Sequence, residues 1–97
     1  MPFEVVFSPS AEIDLDYYRT FEQRIIVDEV KLHLVVDADE ESKRRKRMDE
    51  NQLAPWELRV GDHRVFYEIE GETRVRIIAV GHKKHKYLFI IVVKVLP

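Results

Sequence analysis

Apolar and polar positions along the chain change their period twice. Residues 3–7, Phe-Glu-Val-Val-Phe, alternate weakly and are β-branched or aromatic, which predicts a short strand. Ser8 followed by Pro9 then reads as a helix N-cap with proline at the first helical position. Ala11, Leu15 and Tyr18 fall on one helical stripe, while Glu12, Asp14 and Asp16 crowd the first turns, where carboxylates meet the positive end of the helix dipole. Thr20-Phe21-Glu22-Gln23 has the T-x-x-Q form of a capping box and predicts a second helix, running to about Val36, with Phe21, Ile25, Ile26, Val30 and Leu34 as its buried stripe. Two helices joined at Arg19-Thr20 make an αα-hairpin.

Residues 37–51 carry almost no apolar side chain and switch from Asp37-Ala38-Asp39-Glu40-Glu41 to Lys43-Arg44-Arg45-Lys46-Arg47, so they are expected to be a solvated loop or a frayed helix end. Past Pro55 the period becomes two. Residues 56–60, 63–69 and 73–80 read as strands of an antiparallel meander, punctuated by Gly61-Asp62 and by Glu70-Gly71-Glu72. Residues 87–95 are apolar and β-branched enough for one more strand, or for a buried helix. Within them, the run at residues 88–93 is too apolar for an exposed edge and is expected either to be core or to form an interface. The whole chain, residues 1–97, reads as one α+β domain: an N-terminal strand, a helical hairpin, then a mainly antiparallel twisted sheet.

The turns set which side chains share a face. A two-residue turn at Gly61-Asp62 places Val60 opposite His63, Arg59 opposite Arg64, Leu58 opposite Val65 and Glu57 opposite Phe66. Trp56, Leu58, Val60, Val65, Tyr67 and Ile69 then form the core face under the helices. A three-residue second loop continues that face with Val75, Ile77 and Ala79; a two-residue loop would drive Arg74 and Arg76 into the core. The opposite face receives Glu57, Arg59, Arg64, Phe66, Glu68, Arg74, Arg76 and Ile78.

Composition narrows the function classes. With 97 residues and no cysteine, thiolate metal sites, thiol nucleophiles and a disulfide framework are excluded, and a reducing, cytoplasmic setting is expected. The N-terminus has no signal-peptide pattern, and no apolar run approaches the roughly 20 residues of a membrane span. Neither a metal nor another cofactor is expected. The net charge of −2 conceals a division, with residues 1–42 at −8 and residues 43–97 at +6, so the second half is the one expected to meet an anion.

On the opposite sheet face, Arg59, Arg64, Arg74 and Arg76 stand against Glu57 and Glu68. Arg74 can pair with Glu68 and Arg59 with Glu57, which leaves Arg64 over, and a guanidinium fork suits phosphate oxygens. These four arginines, with Lys83, are the candidate phosphate-binding set. The third strand feeds Gly81-His82-Lys83-Lys84-His85-Lys86-Tyr87 into the same region. Cutting RNA through its 2'-hydroxyl needs a proton acceptor, cationic stabilisation of the phosphate and a proton donor. His82, His85 or Tyr87 are the candidates for proton exchange and Lys83 and Arg64 for the charge. His33, on the second helix, is expected to be partly buried or solvated without a functional role, and the run of five basic residues at 43–47 a solvated surface or a phosphate contact.

The stretch Leu53-Ala54-Pro55-Trp56-Glu57-Leu58-Arg59-Val60-Gly61-Asp62-His63-Arg64-Val65-Phe66-Tyr67-Glu68-Ile69, followed by Ile78-Ala79-Val80-Gly81-His82-Lys83, resembles the RelE/ParE superfamily of bacterial toxin-antitoxin toxins. The resemblance implies a RelE-like α+β fold and a partner antitoxin that wraps the toxin. Its RelE branch implies an endoribonuclease that cuts messenger RNA on the ribosome and so inhibits translation. By position, Arg64 matches the arginine of the central strand, Arg59 a strand lysine, Lys83 the arginine after the V-G pair, and Tyr87 the C-terminal tyrosine. Glu57 departs from the pattern by standing where a second lysine is expected, and it becomes a candidate proton acceptor. The ParE branch implies instead a DNA gyrase inhibitor without a nuclease site, and an inactive relative that keeps its antitoxin is the third reading.

Overall fold

The computed structural model describes residues 2–48, 53–85 and 87–90. The elements run β1 (Glu4–Phe7), α1 (Pro9–Asp16), α2 (Thr20–Leu34), β2 (Arg45–Arg47), β3 (Trp56–Val60), β4 (His63–Glu70), β5 (Arg74–Lys84) and β6 (Tyr87–Ile90). The strands form one sheet in the order β1-β5-β4-β3-β2, and β6 pairs with the C-terminal part of β5. β1 lies parallel to β5 and every other described pair is antiparallel. The α+β architecture expected from the pattern is therefore present.

Local chemistry starts the first helix as expected: Ser8 Oγ accepts from the Ala11 amide at 3.1 Å and Pro9 opens the first turn. The second helix begins differently. Arg19, not Thr20, is its N-cap and makes no side-chain capping bond, and Gln23 instead donates from Nε2 to the Tyr18 carbonyl at 2.8 Å. That bond ties α2 to the tight turn at Tyr17-Tyr18. The helix also stops at Leu34 rather than near Val36.

Of the stripe expected to be buried on α2, Ile26, Val30 and Leu34 are in the core, whereas Phe21 is 58% and Ile25 49% exposed. At about 100° per residue, Phe21, Ile25 and Leu32 fall within roughly 40° of one another, on the side of the helix opposite Ile26, Val30 and Leu34. The helix has two apolar stripes and buries one.

The two-residue turn and the β3–β4 register are as expected, with Gly61 at φ 57°. Between β4 and β5 the loop is Gly71-Glu72-Thr73, one residue later than expected, and it pairs Glu70 with Arg74 and Ile69 with Val75. A bulge then intervenes at Phe66/Tyr67, so that Tyr67 faces Ile77 but Phe66 faces Ala79. An extra residue flips the facing of all that follows. Ala79 is consequently not on the helix-side core face; Val80 takes its place there. Ala79 joins Phe66 and Ala54 in a second small apolar cluster, with Met48, Leu53, Ile78 and Ile90 packed against it. The face opposite the helices is thus partly covered rather than open.

β2 lies in the segment expected to be a loop, pairing its three basic residues with Trp56, Glu57 and Leu58. Arg45 is buried, donating to the Glu40 carbonyl at 2.8 Å, and Arg47 stacks over the Trp56 ring at 5.3 Å. The basic run is therefore built into the sheet edge. In the last strand, Leu88 and Phe89 are 39% and 44% exposed, which corrects the expectation of core there, and residues 91–95 lie outside the described residues.

Candidate active site

Two groups of polar side chains emerge from these registers, one on each side of the sheet. On the side away from the helices, Glu57 is buried between two arginines. Its Oε1 lies 3.2 Å from Arg64 Nε and its Oε2 lies 3.8 Å from Arg59 Nε. Arg64 also donates from Nη1 to the Gly61 and His63 carbonyls, at 2.7 and 2.9 Å. Arg64 is therefore not left over, contrary to the expectation; its guanidinium is tied to Glu57 and to the turn. Arg59, 46% exposed, is the more loosely held of the two. Arg76 pairs with Glu68 at 3.6 Å, and Arg74 pairs with Glu4 of β1 at 2.9 Å rather than with Glu68.

The second group lies at the end of the sheet beneath the turn between the helices. His63 and His82 are directly opposed across β4 and β5. They border an open cavity of about 620 Å³ that Tyr17, Tyr18, Arg19, Glu22, Asp62, Lys83 and Lys84 also line. His63 Nε2 donates to Glu22 Oε2 at 2.9 Å, and Tyr18 Oη lies in hydrogen-bond contact with His82 Nδ1 at 2.7 Å. The Tyr18 ring stands edge-on to both imidazoles, with centroids 5.0 Å from His63 and 5.6 Å from His82. Phe89 of β6 stacks on His82, with ring centroids 5.3 Å apart. Burial first, and the Asp14 carboxylate second, push the Tyr18 hydroxyl up to about 12. Tyr18 is thus a neutral hydroxyl at physiological pH and a fixed partner for His82.

Asp14 helps to hold this arrangement. It is fully buried on α1 and accepts from the Val80 amide at 3.0 Å, which anchors the helix to β5 next to the site. Gly81 is equally constrained, because a Cβ there would lie 2.6 Å from the Phe89 carbonyl oxygen. Its lack of a side chain lets β6 approach and bring Phe89 over His82.

The residues singled out from the sequence are thus divided. His82 and Lys83 meet at the cavity. Arg59, Arg64 and Glu57 meet on the opposite face, which Lys83 borders by its register on β5. His85 is exposed in the turn before β6 at φ 59°, and Tyr87, 70% exposed, is opposite Lys84 and so takes the His82 side of the ribbon. Neither joins Arg64. His33 pairs with Glu29 at 2.9 Å on its own helix. Tyr18, Glu22 and His63 were not singled out. The signal for His63 was available, since the turn register already put it at the head of the core face of β4; its opposition to His82 depends on the bulge.

Among the described residues no group of three or more His, Cys, Asp or Glu side chains is arranged to hold a metal ion, and no helix is long and apolar enough to cross a membrane. A family model described as ParE toxin of type II toxin-antitoxin system, parDE, matches residues 5–87. The fold is similar to a chain of the crystal structure of the toxin-antitoxin complex RelBE2 from Mycobacterium tuberculosis, with a TM-score of 0.67 at 22% identity, over 86% of this chain and 100% of that one. No curated protein matches the sequence.

Proposed function

The chain belongs to the ParE toxin family of type II toxin-antitoxin systems, and from that premise we propose that it arrests growth as an endoribonuclease cutting messenger RNA. The observation that carries this reading is the placing of His82 in an open cavity rimmed by Arg19, Lys83 and Lys84. RNA cleavage by its own 2'-hydroxyl requires proton exchange beside a phosphate whose charge is balanced, and this cavity combines both requirements without further groups. Arg59 and Arg76, partly exposed on the opposite sheet face, are separate cations outside the cavity that RNA phosphates passing that face can meet.

Induced expression in a bacterial host with mapping of message 5' ends tests it. New cuts are expected after induction, spaced by codon frame if the ribosome presents the substrate, and lost in Lys83→Ala/Lys84→Ala. Arrest with intact messages and altered DNA topology would overturn the nuclease reading and assign the chain to gyrase inhibition. That second reading has its own support, since the buried Glu57 pairs with Arg64 and neutralises it on the sheet face where a RelE-type site would be expected. The protein of similar fold comes from a toxin-antitoxin complex, and a cognate antitoxin is the protein partner that fits here. Phe21, Ile25 and Leu32, exposed along one side of α2, give an apolar helix or strand of such a partner its seat.

A further inference from the structure

We propose that His63 and His82 form an acid-base pair for RNA cleavage, with Glu22 and Tyr18 as their positioning residues. This inference deepens the nuclease reading and rests on it. Two imidazoles directly opposite on antiparallel strands have Cβ atoms about 5 Å apart, so both rings can reach one phosphodiester from the cavity they border. Each ring has one nitrogen already engaged, His63 Nε2 by Glu22 at 2.9 Å and His82 Nδ1 by Tyr18 at 2.7 Å. Among the described residues nothing else bonds to His63 Nδ1 or His82 Nε2. The engaged nitrogens define the free ones, and a carboxylate or hydroxyl behind an imidazole fixes both its orientation and the atom at which it exchanges a proton. Glu22 stands behind His63 as a carboxylate stands behind the general base in an acyl-transfer triad. Tyr18 stays neutral at physiological pH, so its hydroxyl accepts from Nδ1–H of the His82 imidazolium and leaves the Nε2 proton for transfer.

The step balances within the substrate and the two rings. His63 Nδ1 takes the proton of a ribose 2'-hydroxyl, and the 2'-oxygen forms a bond to phosphorus. The bond from phosphorus to the 5'-oxygen breaks, and that oxygen receives the proton from His82 Nε2. The products are a 2',3'-cyclic phosphate and a 5'-hydroxyl end, and no oxidant, reductant or water is consumed. Lys83, Lys84 and Arg19 at the rim supply positive charge to the phosphate, and Tyr17, 61% exposed at the cavity edge, offers a face to a base.

Purified toxin cutting a short RNA, with and without ribosomes, supplies the rate, and histidine ring NMR supplies a readout independent of cutting. His63→Gln and His82→Gln are each expected to slow cleavage by about 10² to 10⁴ fold, with unfolding midpoints near that of the parent. Glu22→Gln and Tyr18→Phe are expected to displace one limb each of the pH-rate profile, whereas a merely structural defect would scale the whole profile. Uridine 3'-monophosphate added to the toxin should shift the ring signals of His63 and His82 and leave those of His33 in place. Wild-type rates in either histidine variant, or nucleotide shifts confined to other histidines, would overturn the pair. If the parent cuts no RNA at all, the nuclease reading falls by itself, and the nucleotide titration still decides whether the cavity takes a phosphate ester.

Discussion

Burying Glu57 beside Arg64 desolvates both charges, and their side chains are only 7% and 13% exposed. Removing one partner leaves the other charged and unpaired in the sheet. Arg64→Ala is therefore expected to lower stability in urea melts by about 3 to 5 kcal/mol. Arg59→Ala, which removes a longer and more exposed contact, should cost less than about 1 kcal/mol. Equal losses in the two variants would show that Glu57 is not tied preferentially to Arg64. One practical consequence is that loss of toxicity in Arg64→Ala reports folding as much as chemistry. The facing of Arg59 and Arg64 was legible, because a two-residue turn leaves little freedom in register. The burial of Glu57 was not, since strict alternation assigns that face to solvent and gives no sign of the apolar cluster around Phe66 that covers part of it. Tyr18 carries a pH signature of its own. With its hydroxyl pushed up to about 12, above the usual value of about 10, the fold favours the neutral form. Its contribution to stability is complete below about pH 10 and is lost as the pH rises through about 12. A phenolate absorbance titration should show one late-titrating tyrosine fewer in Tyr18→Phe than in the parent; identical curves would remove Tyr18 from the buried set.

At the level of elements, the bulge at Phe66/Tyr67 decides where the chemistry lies. Without it, His82 would take the opposite facing and the Tyr18 hydroxyl would lose its Nδ1 partner. Nothing in Tyr67-Glu68-Ile69 or Ile77-Ile78-Ala79 announces the bulge, because residues 77–80 are apolar throughout and fit either facing, so the extra isoleucine is as apolar as its neighbours. The same limit applies to β2, where Arg45-Lys46-Arg47 has neither the apolar alternation nor the β-branching of a strand and pairs only because β3 offers an open edge. The capping box failed for a different reason: the helix starts one residue earlier, with Arg19 as its N-cap, and Gln23 donates from Nε2 to the Tyr18 carbonyl of the preceding turn. The Ser8-Pro9 start and the Gly61-Asp62 hairpin, whose signals are local and sterically strict, were read correctly. The β5–β6 contact supplies a test at this scale. Gly81→Ala places a methyl group 2.6 Å from the Phe89 carbonyl oxygen, so β6 must move away from β5. Amide exchange in residues 87–90 should accelerate, and the His82 ring signals should change as Phe89 leaves its stack, with a stability loss of about 1 to 3 kcal/mol. Unchanged exchange would mean that β6 accommodates the methyl group without leaving.

Across the whole molecule, charge and apolar surface are laid out in separate territories. The basic half of the chain builds most of the sheet and its cationic end, the acidic half builds β1 and the helical hairpin, and the cavity lies where the two halves meet. The hairpin exposes Phe21, Ile25 and Leu32 along one side of α2, with Asp28 exposed between them in sequence. A partner that covers this stripe must supply apolar side chains and, to meet the surrounding carboxylates, basic ones. The helix has no internal reason to keep three large apolar residues in water, since its opposite stripe already fills the core. Replacing Phe21 and Ile25 together by glutamate should therefore leave the unfolding free energy of the toxin within about 0.5 kcal/mol per site of the parent. The same double variant should weaken capture of the co-expressed antitoxin by about 100-fold or more, as expected when two apolar anchors of an interface are replaced by charges. Toxicity in the absence of antitoxin should persist, because neither residue lines the cavity. Antitoxin capture at the parent's level by a folded double variant would place the neutralising interface elsewhere, on the sheet edge or on β6.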